Sequence, residues 1–107
     1  MRRNITTAVA VLSAFLCGTL VLAQTRSFTP KNGFVPDEKT AVSVGLAVLE
    51  PIYGKDEISA EQPFSAKLKN GIWAVTGTFP RGQRFGGVAE VRISKKDGCI
   101  LSVTHGQ

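Results

Sequence analysis

Cysteine and histidine are scarce in this chain. Its 107 residues include 2 cysteines, Cys17 and Cys99, and a single histidine, His105. Cys17 lies in an apolar N-terminal segment that we expect to be removed, so the mature chain keeps one thiol and can form no internal disulfide. This excludes the class of small proteins that depend on disulfides for stability. Stability must then come from one hydrophobic core.

The same scarcity argues against a catalytic or metal centre. Cys99 and His105 would face the same side of one regular strand, about 20 Å apart at ~3.3 Å per residue. A Cys–His dyad needs hydrogen-bond reach, and a zinc site needs three or four clustered ligands. We therefore predict no catalytic residue, no metal and no cofactor.

Paired carboxylates for acid–base chemistry are also lacking. Two acidic pairs, Asp37-Glu38 and Asp56-Glu57, are adjacent in sequence and lie at predicted helix ends. Adjacent residues do not face each other on a helix, so capping and solvation explain these pairs better than catalysis does. Glu61 and Glu90 have no evident carboxylate partner.

The first 23 residues have the pattern of a signal peptide. Arg2 and Arg3 precede a mostly apolar run over residues 8–22, and Ala23 is a small residue at the predicted cleavage position. An uncleaved anchor is the alternative, but the run is shorter than the ~20 apolar residues that span a bilayer. A lipoprotein is less favoured, because a bulky Leu16 precedes Cys17. We expect cleavage after Ala23, a periplasmic or secreted protein, and no stable membrane association afterwards.

The charge of the mature chain is modest. Removing residues 1–23 lowers Lys plus Arg from 13 to 11 against 8 Asp plus Glu, so the net charge falls from +5 to +3. Such a charge indicates a mild preference for an acidic partner and no nucleic-acid partner.

The rest of the chain predicts a linker and one α+β domain. Residues 24–35 are polar with Pro30 and Gly33 and read as a linker, with Phe34 and Val35 docking on the core. Residues 36–107 form the domain. Asp37 is a plausible N-cap of a helix over residues 37–53, which Pro51 should end or kink near Leu49–Glu50, with Gly54 as the final stop. A polar connector with a short strand at Ile58 follows over residues 55–63.

Four strands are predicted after the connector, at residues 64–69, 72–79, 86–94 and 99–105. Asn70-Gly71 between apolar runs is a strong hairpin signal, and Asp97-Gly98 is a second turn. Alternation directs one set of side chains inward: Phe64, Ala66, Leu68, Trp73, Val75, Phe79, Ala89, Val91 and Ile93. The fourth strand has no clear inner face, because Ile100, Leu101 and Val103 compete. The predicted fold is a helix across a four-stranded antiparallel meander.

Two groups of residues are candidate sites. The loop at residues 81–87 carries Arg81 and Arg84, and outward strand charges lie beside it in the predicted sheet: Lys67, Lys69, Glu90 and Arg92. These are candidate contacts for an acidic partner, although a solvated turn with a bulge is the simpler interpretation of the loop. A second group is assigned to the fold or to a pocket: Tyr53, Trp73, Phe64, Gly86 and Gly87.

Several short motifs resemble one protein family. They are Gly33–Glu38, Thr40-Ala41, Val48–Gly54, Gln62–Phe64, Trp73–Thr78, Gly86-Gly87, Ile93–Gly98 and Thr104–Gly106. In order and spacing they are similar to the bacterial immunity proteins with the nuclear-transport-factor-2-like (NTF2-like) fold. The resemblance implies a cone-like α+β fold, a helix wrapped by a curved sheet. It also implies a non-enzymatic protein that binds and neutralises a polymorphic toxin.

Two other functions stay open. A periplasmic carrier of a small ligand would need a pocket between helix and sheet, where Gly45, Ala47 and Gly77 are small. A hydrolase or isomerase would need a buried acid facing a cavity, and no predicted strand directs an acid inward.

Overall fold

The main helix begins where its cap predicts. In a computed structural model, which describes residues 26–82 and 86–106, helix α1 runs over Glu38–Tyr53. The Asp37 side chain accepts a hydrogen bond from the Thr40 backbone N–H at 2.8 Å. Glu38 adds a negative charge to the first turn, where the helix dipole favours it. The predicted N-terminus is confirmed.

The helix ends at Tyr53, the predicted last residue, and Gly54 is the stop as expected. It continues through Pro51, so the earlier end that Pro51 predicted near Leu49–Glu50 is wrong. Pro51 removes one backbone donor near the C-terminus, and the Gly54 N–H still bonds the Glu50 carbonyl at 2.8 Å, which closes the last turn.

A second short helix replaces the predicted connector. Helix α2 covers Lys55–Ala60, and the expected strand at Ile58 is wrong. Gly54 has a φ of 97°, which redirects the chain between the two helices. Ile58 is fully buried, but one large apolar residue in six gives no helical period to detect.

The four strands form the predicted meander. They are β1 Ser65–Lys69, β2 Ile72–Thr76, β3 Ala89–Ser94 and β4 Ile100–His105, in the antiparallel order β1-β2-β3-β4. Asn70 and Gly71 both have positive φ, at 51° and 76°, as the predicted hairpin turn requires. The observed strands are shorter than predicted, mainly because β2 ends at Thr76 and β3 begins at Ala89.

Helix α1 packs on one face of this open sheet. The core contains most of the predicted inward strand residues, residues of both helices and one residue of the predicted linker. Its members are Val35, Ala41, Leu49, Ile58, Phe64, Ala66, Trp73, Val75, Ala89, Val91 and Ile93. Two predictions are wrong, since Leu68 is 46% exposed and Phe79 is 50% exposed. Leu68 lies on an edge strand. Phe79 lies beyond the end of β2. There the Thr78 backbone N–H donates to the Glu61 carbonyl at 2.7 Å rather than to a neighbouring strand.

A β-bulge explains the ambiguous pattern of the last strand. Ile93 pairs with Ile100, but the preceding Arg92 pairs with Ser102, so Leu101 is an extra residue. Val103 is half-buried against the core, while Ile100 and Leu101 remain exposed. The bulge shifts the alternation, so the even spacing between Cys99 and His105 does not place them on one face.

Residues just before α1 are hydrogen-bonded to the turn between β3 and β4. The backbone N–H groups of Phe34 and Val35 donate to the carbonyls of Lys96 and Lys95, at 3.1 and 3.0 Å. Val35 docks in the core as expected, whereas Phe34 stays exposed. The proposed signal peptide and its cleavage position lie outside the described residues. Among the helices that are described, none has the length and apolar character needed to cross a bilayer.

Candidate functional site

The outer face of the sheet gathers most of the predicted contact charges. Lys67, Ala74 and Arg92 are aligned across β1, β2 and β3, and Lys69 lies two residues further along β1. A shallow groove of about 410 Å³ runs over this face, lined by Lys67, Lys69, Asn70, Ile72, Ala74 and Arg92. We call it the basic groove.

Its charges are only partly neutralised. Arg92 Nε lies 3.1 Å from Glu90 Oε1, and both side chains are exposed to a substantial degree. Such a pair contributes little to stability because water screens it. In the part of the chain that the structure describes, Lys67 and Lys69 form no salt bridge. The groove therefore presents positive charge around a small apolar floor.

Only part of the predicted arginine loop lies among the described residues. Arg81 is exposed in a turn after β2. Arg84 lies outside the described residues, so its place relative to the basic groove stays a prediction.

The predicted aromatic residues have separate roles. Trp73 is buried, and its ring N–H donates to the Val35 carbonyl at 2.8 Å. Phe64 also packs in the core. Tyr53 is half-buried, and its ring lies against His105 with centroids 5.1 Å apart. Trp73 and Phe64 therefore belong to the fold rather than to a pocket.

A second cluster, which the sequence did not reveal, surrounds a buried carboxylate. Glu61 is 3% exposed. Its Oε1 accepts a hydrogen bond from the Ala89 backbone N–H at 2.6 Å, and its Oε2 lies 3.0 Å from His105 Nε2. The same histidine nitrogen lies 3.6 Å from Glu57 Oε1. We call Glu57, Glu61 and His105 the acidic–histidine cluster.

Helix α2 brings this cluster together. Glu61 is the residue directly after the helix, and Glu57 lies within the helix, one turn before Glu61. Both carboxylates therefore reach the same end of the sheet. His105 is the last residue of β4 and pairs with Ala89 of β3. Because His105 and Glu61 are 44 residues apart in sequence, no local pattern could have joined them.

The histidine is held in a defined orientation. Its Nδ1 lies 3.1 Å from the Gly106 carbonyl oxygen, which can only accept, so Nδ1 carries a proton. The hydrogen bond with Glu61 raises the pKa of His105, and burial opposes that change. The buried Glu61 carboxylate therefore favours the protonated, positively charged form of the His105 ring at Nε2.

A small open pocket adjoins the cluster. Its volume is about 180 Å³, and it is lined by Glu57, Ala60, Glu61, Pro80, Gly86, Gly87 and His105. Binding pockets for small molecules usually exceed about 300 Å³. The predicted pocket residues Gly86 and Gly87 are thus at a pocket rim, but the space suits an ion, a few waters or a short side chain. A buried acid beside a pocket is a feature that an enzyme would need, but this pocket is smaller than those that usually hold a small-molecule substrate.

The structure leaves no pocket at the three small residues where a small-ligand carrier would need one, Gly45, Ala47 and Gly77. A Cβ added to Gly45 would lie 2.8 Å from a methyl carbon of Val75, and one added to Gly77 would lie 2.9 Å from the Phe64 ring. Ala47 is exposed. These three small residues therefore do not enclose a cavity.

Comparison with known proteins identifies the family. The family model described as NTF2 fold immunity protein matches residues 40–107, from the first turns of α1 to the end of the chain. The uncharacterised protein YhhH of Escherichia coli (strain K12) is 31% identical over 80 residues. That match includes 75% of this chain and 62% of the relative, so the chain spans somewhat less than two thirds of the relative's length. No solved structure matches the chain.

Proposed function

The chain belongs to the NTF2-fold immunity protein family, and from this premise we propose that it binds and neutralises a protein toxin without catalysing a reaction. It acts by occlusion, covering the part of the toxin that would otherwise meet its target. The resemblance of the short motifs and the family match both support a binding role.

The basic groove is the observation that carries this proposal. It lies on the sheet face opposite α1, and Lys67, Lys69 and Arg92 surround exposed Ile72 there. Interfaces commonly combine an apolar centre with a charged rim that is complementary to the partner. The toxin surface that fits this groove is acidic, with an apolar side chain near its centre.

We also propose that the protein acts outside the cytoplasm. The residues before the described domain have the charge and apolar run of a signal peptide. A toxin whose target lies in the periplasm would need its immunity protein in the same compartment.

Co-expression tests the role. The chain is produced together with the protein encoded by the neighbouring gene, where that gene encodes a large secreted toxin, and cell survival is measured. The expected result is protection together with recovery of a complex. If the two proteins do not bind and the cells die as without the chain, the immunity role is wrong.

Charge reversal tests the surface. Lys67→Glu with Arg92→Glu should weaken toxin binding at least about tenfold, because it places negative charge opposite an acidic surface. Lys39→Glu with Lys55→Glu is the matched control, since it makes the same charge change on exposed helical residues. Equal binding by both double variants, with unchanged melting temperatures, would place the toxin elsewhere on the molecule.

A further inference from the structure

The acidic–histidine cluster places three potential metal ligands close together. We propose that Glu57 Oε1, Glu61 Oε2 and His105 Nε2 bind one divalent cation, with Zn²⁺ as the best match, at the mouth of the 180 Å³ pocket. Imidazole and carboxylate together suit zinc, whereas magnesium prefers six oxygen ligands. The site is independent of the proposed toxin contact on the opposite face of the sheet.

The spacing of the three atoms fits a single ion. Nε2 lies 3.0 Å from Glu61 Oε2 and 3.6 Å from Glu57 Oε1, and all three ligand atoms lie within 4.8 Å of one another. Ligands about 2.0–2.2 Å from a tetrahedral zinc ion are separated by about 3.3–3.6 Å. Small side-chain rotations, mainly of the exposed Glu57, would bring these atoms to that arrangement.

Contacts outside the cluster orient two of the ligands. His105 Nδ1 donates to the Gly106 carbonyl, which directs Nε2 toward the carboxylates. Glu61 Oε1 accepts from the Ala89 N–H and leaves Oε2 directed at the histidine. A metal-binding histidine usually donates its other ring N–H to a carbonyl or carboxylate, and a metal-binding carboxylate is usually hydrogen-bonded too.

Two carboxylates face one ring nitrogen in this cluster. One protonated Nε2 satisfies the buried Glu61, and its distance of 3.6 Å to Glu57 is too long for a hydrogen bond. A second carboxylate therefore faces the same nitrogen without a donor from it. A divalent ion would neutralise both carboxylates at once and leave the imidazole neutral.

The pocket leaves room for a further ligand. Gly86 and Gly87 line it without side chains, and three protein ligands leave the fourth tetrahedral position for water or another small ligand. The expected site is thus accessible, unlike the closed four-ligand sites that only support a fold.

Zinc titration of the purified full chain tests this proposal. The chain is stripped with a chelator, dialysed and titrated with ZnCl₂ in a calorimeter, and MgCl₂ is titrated in parallel. We expect one Zn²⁺ per chain, a higher melting temperature with zinc, and no comparable response to magnesium. Absence of stoichiometric zinc binding would overturn the proposal, leaving the cluster as a hydrogen-bonded pair with a neighbouring carboxylate.

Variants assign the ion to the cluster. Glu57→Gln should weaken zinc binding at least about tenfold, and because Glu57 is largely exposed the variant should fold normally. His105→Gln should weaken it further. Glu50→Gln is the matched control, since it removes one carboxylate from the neighbouring helix. If Glu57→Gln binds zinc as tightly as Glu50→Gln does, the ion lies elsewhere and the assignment is wrong.

Discussion

At the scale of single residues, Glu61 is a buried charged group that joins the end of α2 to the sheet. Its Oε1 satisfies the buried Ala89 N–H, and its backbone carbonyl receives the Thr78 N–H. Glu61→Ala should lower the free energy of unfolding by about 2–3 kcal/mol, because a buried donor loses its charged acceptor. Urea unfolding in a chelating buffer measures this change without any contribution from a metal.

Two related variants sharpen that prediction. Glu61→Gln keeps an acceptor for the Ala89 N–H and should lose less stability than Glu61→Ala. Glu57→Ala, at an exposed position of α2, should change the free energy of unfolding by less than about 0.5 kcal/mol. If Glu57→Ala lost as much stability as Glu61→Ala, the burial of Glu61 and its bond to the Ala89 N–H would not be the cause of the loss.

Asp37 gives a pH-dependent prediction at the same scale. The backbone N–H of Thr40 holds the pKa of Asp37 below its usual value. A pKa that is lower in the folded state stabilises the protein above the pKa of the unfolded chain, and this effect is lost as the pH falls through the folded value. Asp37→Ala should therefore lower the melting temperature at pH 7, and the difference should shrink below about pH 4. A difference that is constant with pH would contradict the cap.

At the scale of elements, Gly45 fixes how closely α1 lies on the sheet. A Cβ at this position would approach methyl carbons of Val75 and Val91 at 2.8 and 3.0 Å. Gly45→Ala gains about 1 kcal/mol of helix propensity, but overpacking against two stiff β-branched residues costs about 1–3 kcal/mol. We expect a net loss of about 1 kcal/mol in chemical denaturation.

Ser43→Ala is the control for that variant. Ser43 lies on the exposed side of α1, where alanine changes propensity without a new contact. It should leave stability unchanged or slightly higher. If Gly45→Ala is also more stable than the parent chain, the helix has room to move away from the sheet, and the close packing is not a constraint.

Most elements could be predicted because their signals are local. Asp37 caps a helix next to it, Asn70-Gly71 determines a turn between its own flanking strands, and alternation gives Trp73 and Val75 the same face. The short helix around Ile58 was missed because six residues contain too little periodicity. The last strand was ambiguous because a bulge interrupts its alternation, and a bulge depends on the partner strand.

At the scale of the whole molecule, the contacts that build the sites connect distant parts of the chain. Trp73 donates to a carbonyl 38 residues away, and Glu61 meets His105 across 44 residues. Composition identified one histidine and, in the mature chain, one thiol, but it gave no means of finding the carboxylates that approach the histidine. The basic groove was easier to predict, since strand alternation alone places Lys67, Lys69 and Arg92 on the outer face.

Export is the remaining proposal about the whole chain, and it rests on the sequence of residues 1–23. Signal peptidase requires a small residue just before the cleaved bond, and Ala23 meets that requirement. Protein recovered from the periplasm or medium should therefore begin at Gln24 by N-terminal sequencing and should have lost Arg2 and Arg3. Ala23→Leu should block processing and leave the full-length chain with the membrane fraction, whereas Gln24→Ala should be processed normally. Full-length protein in the cytoplasm of cells producing the parent chain would contradict export, and the proposed toxin partner would then have to be bound inside the cell.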